Sequence, residues 1–195
     1  MVSLDWAVAA SLGLLVAASG QAVDWSRAGD DLFGAPTVVE TADAEPVRLA
    51  PLSQPLMREI EAAAARHGLD EKLLHALVLI ESGYRRDAVS SAGAGGLTQL
   101  MPATAGELGI EDRFDVEQNL AGGADYLARQ LVRFQDLELA LAAFNAGPAR
   151  VAARGRVPDI PETRRYVRAV IDCYLALSAG RRVASARDCR PRGAG

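Results

Sequence analysis

One glutamate, Glu81, follows the run LLHALVLI from Leu73 to Ile80, in which seven of the eight residues are apolar. On a helix it projects from the middle of the apolar arc that the leucines and Val78 form. Burial of a carboxyl raises its pKa, because desolvation disfavours the charged form. A carboxyl with a pKa near neutrality can hold a proton and deliver it to a leaving oxygen. The sequence therefore predicts Glu81 as a general acid; the alternative is a structural glutamate neutralised by Arg85 or Arg86.

The segment SSAGAGGLTQLMPATA, residues 90–105, combines glycines with polar side chains. It is not a phosphate-binding loop, because no Gly-Lys-Ser/Thr follows and no strand precedes it. Glycines also let a backbone turn tightly at positive φ or approach a ligand closely. With Ser90 and Gln99 among them, the segment predicts a loop that binds a neutral ligand rich in hydroxyl and amide groups, such as a sugar.

Two further polar segments lie at predicted helix ends. In AAFNAGPARV, residues 142–151, Asn145 ends a helix, and an Asn before Gly-Pro is most simply a cap. In IPETRRYV, residues 160–167, Glu162 lies in a first helical turn, where the helix dipole favours an acid. Neither segment alone indicates a function.

Helices must position these residues, since apolar residues recur at helical spacing and no stretch alternates convincingly as a strand. Half of the residues are hydrophobic and only 5% are aromatic, which is typical of helices packed through Ala, Leu and Val. Gly68, Asp70 and Pro102 mark helix ends. The sequence predicts one all-α domain over residues 51–178, with helices at 55–67, 70–82, 102–109, 115–134, 137–145 and 161–177.

The two ends of the chain differ from this domain. Residues 1–22 contain an apolar stretch of signal-peptide length. The residues before this stretch include Asp5 and lack the Lys or Arg that is usual in a signal peptide. The alternative is a buried N-terminal helix. A signal peptide predicts a periplasmic or secreted protein. Residues 23–50 are predicted to be a linker. Residues 179–195 form a basic tail that we expect to be solvated and disordered; the alternative is attraction to an anionic surface, such as a membrane or the cell wall.

Cysteine, histidine and charge content limit the function classes. Cys173 and Cys189 could pair in an oxidising compartment, or Cys173 could be a small core residue. The two histidines and two cysteines do not cluster at ligand spacing, so we expect no zinc site. The formal net charge of −4 predicts no nucleic-acid partner, since a phosphate-binding domain needs a basic patch.

Five segments, taken in order, resemble a known family. They are Glu81-Ser82, Ser90-x-x-Gly93-Ala94-x-Gly96-Leu97-x-Gln99-Leu100-Met101-Pro102, Asn119-x-x-x-Gly123-x-x-Tyr126-Leu127, Phe144-Asn145-Ala146-Gly147-Pro148 and Pro161-Glu162-Thr163-x-x-Tyr166-Val167. Residues 55–178 resemble the soluble-lytic-transglycosylase-like catalytic domain of bacterial cell-wall enzymes, which is related in fold to goose-type lysozyme. The resemblance implies a lysozyme-like, all-α domain with a saccharide-binding groove.

The resemblance also implies a reaction on peptidoglycan without metal or cofactor. Glu81 corresponds to the family's only catalytic carboxylate, which protonates the leaving oxygen of the β-1,4 bond between N-acetylmuramic acid and N-acetylglucosamine. It then takes the proton of the substrate's own C6 hydroxyl, which gives 1,6-anhydro-N-acetylmuramic acid and consumes no water. The substrate-binding residues implied are Ser90, Gly96, Leu97, Gln99, Met101, Tyr126, Phe144, Asn145 and Glu162.

Two residues depart from the family pattern. Thr98 stands where the family usually has Met, and we expect it to touch the groove wall. Phe144 stands where the family usually has Tyr, which removes a hydroxyl near the reaction centre. Two alternative functions remain open: a goose-lysozyme-type hydrolase that uses water, and a glycan-binding accessory protein of low activity that serves a wall-spanning secretion apparatus.

Overall fold

Helices account for the regular structure of residues 54–191, the part of the chain that this computed structural model describes. The predicted signal peptide (1–22) and linker (23–50) lie outside these residues. No helix between residues 54 and 191 is both long and apolar enough to cross a membrane. The α-helices are α1 (Met57–Arg66), α2 (Glu71–Ser82), α3 (Pro102–Glu107), α4 (Val116–Phe134), α5 (Leu137–Ala146), α6 (Pro148–Arg154) and α7 (Pro161–Ser178), and a 3₁₀ helix follows at Ala186–Cys189.

Acidic caps begin three of the predicted helices. The carboxylate of Asp70 accepts a hydrogen bond from the backbone N–H of Lys72 at 2.8 Å, at the start of α2. Asp115 and Asp136 cap α4 and α5 in a similar way, each through the backbone N–H of the third residue of its helix. Each cap satisfies one of the first N–H groups of its helix, which have no partner within the helix. The predicted helix starts are therefore confirmed to within a few residues.

The helix α6 was not predicted, because Gly147-Pro148 is typical of a helix end. Gly147 does end α5, and its φ of 91° lies in a region that only glycine enters without strain. Pro148 then occupies the first position of a new helix, where its missing N–H costs nothing. The glycine-proline pair is thus a sharp joint between two helices.

The helix α2 is buried on nearly all sides because it lies between two parts of the core. On one side, Leu73 and Leu77 pack with residues of α5 and α7. On the other side, Leu74 and Val78 pack with residues of α1 and α4 and with Leu97 of the glycine-rich loop. The core therefore fixes the C-terminal end of α2, where Glu81 lies.

The C-terminal segment corrects one expectation. Residues 179–191 are not a solvated, disordered tail: Val183 is 1% exposed and Cys189 is 3% exposed, and both belong to the core. A disulfide joins Cys189 to Cys173 in α7. Burial of these two apolar side chains and the covalent link hold the segment against α7, although its surface positions are strongly basic. The pairing of the two cysteines, one of the two interpretations left open by the sequence, is confirmed.

Candidate active site

Glu81 lies in the last turn of α2, which ends at Gly83 in the left-handed conformation. Its side chain is partly buried, and this burial raises the pKa of the carboxyl to about 7. A hydrogen-bonding interaction with Tyr166 acts in the opposite direction and lowers that pKa, but it is the smaller effect. Near neutral pH the carboxyl is therefore divided between its protonated and ionised forms. Such a group can both donate and accept a proton.

The arginines that follow Glu81 do not neutralise it. The Nε of Arg85 donates to the backbone carbonyl of Ser82 at 3.1 Å, and Arg86 is exposed. Within residues 54–191, no ion pair involves Glu81. A paired structural carboxylate would have its pKa lowered by the partner cation, whereas the pKa of Glu81 is raised. The geometry therefore does not support the structural alternative.

Tyr166 of α7 is the neighbour of Glu81 that the sequence did not identify as a site residue. It is buried, and its pKa is raised well above 10 by burial and by the charge of Glu81. Its hydroxyl makes no hydrogen bond of standard geometry within the described part of the chain. The periodicity placed Tyr166 correctly on the apolar face of α7. A chemical argument could have identified it as a site residue: a tyrosine on an apolar face buries its hydroxyl, and a buried hydroxyl normally needs a polar partner.

A side-chain hydrogen bond joins the end of α5 to the beginning of α7. The Thr163 hydroxyl donates to Oδ1 of Asn145 at 2.9 Å. Thr163 is buried, whereas Asn145 is exposed. The bond orients the Asn145 amide so that its NH₂ group points away from Thr163. Asn145 is therefore more than a helix cap, and Thr163 is a supporting residue that the sequence pattern contained but did not single out.

Tyr126 of α4 and Phe144 of α5 form an aromatic pair. Their ring centroids are 5.3 Å apart and the rings are tilted by 54°, a separation typical of favourable aromatic contacts. Phe144 is 9% exposed, and Tyr126 is partly buried with its pKa raised, first by burial and second by the charge of Glu107. The phenylalanine that departs from the family pattern therefore packs against the one predicted site tyrosine.

The glycine-rich loop holds Ser90 and Gln99 by its own hydrogen bonds. The Ser90 hydroxyl accepts from the backbone N–H of Ala94 at 3.0 Å. The amide nitrogen of Gln99 donates to the carbonyls of Ala88 and Gly96 at 3.1 Å and 2.8 Å. Both side chains are partly exposed, so they have defined positions and also face solvent. The loop is thus a rigid surface that carries polar groups.

Three consecutive residues of this loop face inward. A Cβ atom at Gly96 would lie 2.1 Å from the backbone oxygen of Arg113, so glycine is needed for close packing. Leu97 is 0% exposed and packs in the core. Thr98 is also 0% exposed, and its backbone N–H and hydroxyl both bind Oδ1 of Asn119 at 2.8 Å. In this conformation the side chains of Leu97 and Thr98 do not face a groove.

The expectation that Thr98 touches the groove wall is therefore wrong. Its hydroxyl needs a partner when buried, and Asn119 of α4 supplies one. The space that Thr98 fills lies over Gly123, where a Cβ would come within 2.4 Å of the threonine hydroxyl oxygen. Thr98 and Gly123 thus form a complementary contact between the loop and α4.

The two remaining predicted residues are at the surface. Met101 is 42% exposed at the start of α3. Glu162 is exposed in the first turn of α7, beside Thr163, as expected for an acid placed by the helix dipole. It makes no ion pair with any residue of the described part. The structure therefore joins Glu81 with Tyr166, Asn145 with Thr163, and Tyr126 with Phe144, and it places Glu162 and Met101 outside these contacts.

Comparison with known proteins supplies the family. Residues 58–166 match the family model described as "Transglycosylase SLT domain". The chain is 43% identical over 99 residues to "Membrane-bound lytic murein transglycosylase F" of Desulfosudis oleivorans. This alignment covers 47% of this chain and 22% of that protein. It is 43% identical over 88 residues to "Transglycosylase" of Enterobacteria phage PRD1, covering 45% of this chain and 33% of that one.

Among solved structures, the fold is similar to lytic transglycosylase Slt of Pseudomonas aeruginosa, crystallised as an inactive mutant. The TM-score is 0.57 with 26% sequence identity, over 69% of this chain and 26% of that one. The matched part of these relatives is thus at most a third of their own length. The family match, over residues 58–166, includes every predicted site residue from Glu81 to Glu162.

Proposed function

The chain belongs to the transglycosylase SLT family, and we propose that it is a peptidoglycan lytic transglycosylase. The observation that carries the proposal is Glu81, a partly buried carboxyl without an ion-pair partner in the described part, whose pKa is raised to about 7. The names of the relatives supply the substrate class: the relative from Desulfosudis oleivorans acts, by its name, on murein.

In the first step, protonated Glu81 gives its proton to the glycosidic oxygen, and the bond between that oxygen and the anomeric carbon of N-acetylmuramic acid breaks. In the second step, the carboxylate of Glu81 takes the proton of the C6 hydroxyl of the same sugar. The C6 oxygen then bonds to the anomeric carbon and closes the 1,6-anhydro ring. No water is consumed, and Glu81 returns to its protonated form.

This mechanism does not need a second catalytic carboxylate. Most glycosidases use two carboxyl groups, one as acid and one as base or nucleophile. Here the nucleophile is part of the substrate, and an oriented intramolecular group replaces much of what a second catalytic residue supplies. Glu162 is exposed at the surface of α7, so we assign it a role in binding rather than in proton transfer.

We further propose that the exposed or partly exposed polar residues Ser90, Gln99 and Asn145 hold the glycan, with Tyr126 and Phe144 as an apolar wall. The hydrogen bonds inside the glycine-rich loop and the Thr163–Asn145 bond support this proposal, because they fix the polar groups before a sugar binds. Gly96 and Leu97 support the loop from beneath.

The proposed location is the periplasm or the cell exterior, with residues 1–22 as a signal peptide. The disulfide between Cys173 and Cys189 supports this location, because disulfides persist mainly in oxidising compartments. Association with a wall-spanning secretion apparatus is a further proposal. Co-purification from cross-linked cells would test it.

Product analysis tests the proposed reaction. Purified peptidoglycan digested by the full chain should release muropeptides that are one water lighter than those released by a lysozyme, because their ends are anhydro sugars. The control is Glu81→Gln, which should release neither kind of product. Products with mainly reducing ends would show a goose-lysozyme-type hydrolase instead.

A further inference from the structure

A cleft of about 570 Å³ lies between α7 and the C-terminal 3₁₀ helix, and nothing in the proposed reaction uses it. Its volume is within the range of small-molecule pockets. Five arginines and one carboxylate are among the residues that line it: Arg164, Arg165, Arg168, Arg187, Arg190 and Asp172. The cleft is therefore strongly basic.

Few of these charges are neutralised from within the described part of the chain. Arg164 forms an ion pair with Asp159 at 3.0 Å. The other four arginines form no ion pair there, although Asp172 lines the same cleft. Unpaired guanidinium groups that face one concave surface repel one another. Such an arrangement is stable only at some cost, which an anionic ligand would remove.

The 3₁₀ helix is built so that its own carboxylate does not fill the cleft. Oδ2 of Asp188 accepts from the backbone N–H groups of Ala184 and Ser185, at 3.0 Å and 2.8 Å, and from the Ser185 hydroxyl. These bonds lower the pKa of Asp188 and direct its charge into the capping turn. The guanidinium of Arg181 donates to the backbone carbonyls of Asp188 and Arg190. Together with the Cys173–Cys189 disulfide, these contacts fix the backbone that presents Arg187 and Arg190.

Charge is also segregated along the chain. Residues 148–191 carry ten arginines against four carboxylates, whereas residues 54–147 carry eight basic side chains against fourteen carboxylates. The net charge of −4 therefore combines a basic segment, which includes all five arginines of the cleft, with an acidic remainder of the chain. Anionic ligands would be attracted to the arginines of the cleft.

The cleft and the candidate active site lie on opposite faces of α7. Thr163 and Tyr166 face Asn145 and Glu81. Residues two positions apart on a helix point about 200° apart, so Arg165 and Arg168 project away from the site. A glycan strand undergoing reaction at Glu81 therefore does not occupy the cleft.

We propose that this cleft binds an acidic peptide, and, resting on the proposed function, that the peptide is a stem of a neighbouring peptidoglycan strand. A stem carries several carboxylates, and the planar forks of four unpaired arginines match carboxylates in bidentate pairs. The cleft is too large for a single phosphate and is concave, so a flat lipid surface would not fill it. The enzyme would grip one strand of the network while it cuts another.

Binding of the free tetrapeptide stem, which contains no sugar, tests this proposal by isothermal titration of the full chain. We expect measurable binding that weakens as NaCl rises from about 50 to about 300 mM. The triple variant Arg165→Gln/Arg168→Gln/Arg187→Gln should bind at least about tenfold more weakly. The matched control Arg58→Gln/Arg66→Gln/Arg154→Gln loses the same charge at exposed positions outside the cleft and should change the affinity less than about twofold. The corresponding triple Lys variant should be intermediate, since lysine keeps charge but loses the fork.

Four results would overturn the proposal: equal binding of a stem whose carboxylates are amidated, equal binding by the two Gln variants, equally tight binding of inorganic phosphate, or preferential binding to vesicles containing anionic phospholipid. The last would indicate a membrane surface. A second assay separates this proposal from the catalytic one. Against soluble glycan strands stripped of peptide, the cleft variant should retain wild-type activity, whereas against intact peptidoglycan its KM should rise. If the wild type cuts neither substrate yet binds the stem, only the proposed reaction fails.

Discussion

At Glu81, two neighbouring influences act in opposite directions on one carboxyl. Burial among the core side chains raises its pKa, and the Tyr166 hydroxyl lowers it, with a result of about 7. Burial alone would give an acid that holds its proton more firmly and so is a weaker donor. A strong cation would give a carboxylate that never donates. The tyrosine is neutral and therefore moderates the pKa without fixing the charge.

Replacement of Glu81 by Gln should lower the reaction rate by at least about 10²–10⁴-fold, because the amide can neither donate nor accept the proton. It should also change how stability depends on pH. In the folded protein the pKa of Glu81 is raised to about 7 from an ordinary value of 4.5, so the folded state binds more protons than the unfolded state between these values. The contribution of Glu81 to the free energy of unfolding of the wild type therefore falls as pH rises from about 4.5 to 7, by up to about 3 kcal/mol.

Glu81→Gln has no buried carboxyl to ionise, so its stability does not fall in this way as pH rises. Urea unfolding of the variant and the wild type at pH 5 and pH 8 measures the difference. The free energy of unfolding of Glu81→Gln, relative to wild type, should increase between the two pH values. Near-normal activity in the variant would exclude Glu81 as the acid–base group. A difference that does not depend on pH would instead show that the pKa of Glu81 is not raised in the folded protein.

Replacement of Tyr166 by Phe should raise the pKa of Glu81, because the interaction that lowers it is lost. The limb of the pH–rate profile on which activity falls as Glu81 loses its proton should move to higher pH. At pH 5, where Glu81 is mostly protonated, stability should be unchanged or increased, since the Tyr166 hydroxyl is buried without a hydrogen bond of standard geometry. Phe144→Tyr, which adds a hydroxyl instead, serves as a comparison on another helix. An unmoved pH profile in Tyr166→Phe would show that the tyrosine has only a packing role.

At the scale of elements, helix ends carry most of the candidate site. Glu81 lies in the last turn of α2, Asn145 lies in the last turn of α5 and Thr163 lies in the first turn of α7. Periodicity, acidic caps and prolines were sufficient to predict where most of these helices begin and end. The short helix α6 was missed because Gly147-Pro148 carries the same local signal whether the chain leaves a helix or begins another.

The disulfide between Cys173 and Cys189 joins α7 to the 3₁₀ helix, and its removal should loosen that contact. Because it closes a loop of 16 residues, replacing both cysteines by Ala should lower the free energy of unfolding by about 3 kcal/mol. Urea unfolding with and without reductant measures the effect, and reduced wild type should behave like the variant. Activity on peptide-free glycan should persist below the unfolding transition, since Cys173 lies about two turns along α7 from Tyr166, the neighbour of Glu81. A variant as stable as oxidised wild type would show that burial alone holds the segment.

At the scale of the whole molecule, the sequence predicted the helical core better than the surface of the loop or the fate of the tail. A residue's position on a helix follows from spacing, which is why Tyr166 and Cys173 were placed on the correct face. The inward orientation of Thr98 depends on Asn119 and Gly123, which lie about twenty residues away and have no local signature. The tail was predicted to be disordered because arginines dominate its sequence. Only two residues, Val183 and Cys189, anchor it in the core.

Because Val183 and the Cys173–Cys189 disulfide anchor the C-terminal segment, we expect the folding unit to extend beyond α7. Truncation tests this expectation. A chain ending after Ser178 loses the disulfide and the burial of Val183, which is 1% exposed. Its free energy of unfolding should fall by about 3 kcal/mol for the disulfide and by roughly a further 1.5 kcal/mol for the valine. A chain ending after Pro191 keeps both and should lie within about 0.5 kcal/mol of the full chain. The difference between the Ser178 truncation and the double Ala variant isolates the contribution of burial. If the Ser178 truncation is as stable as the full chain, the domain ends at residue 178, as the helical pattern alone predicts, and the basic cleft belongs to a dispensable segment.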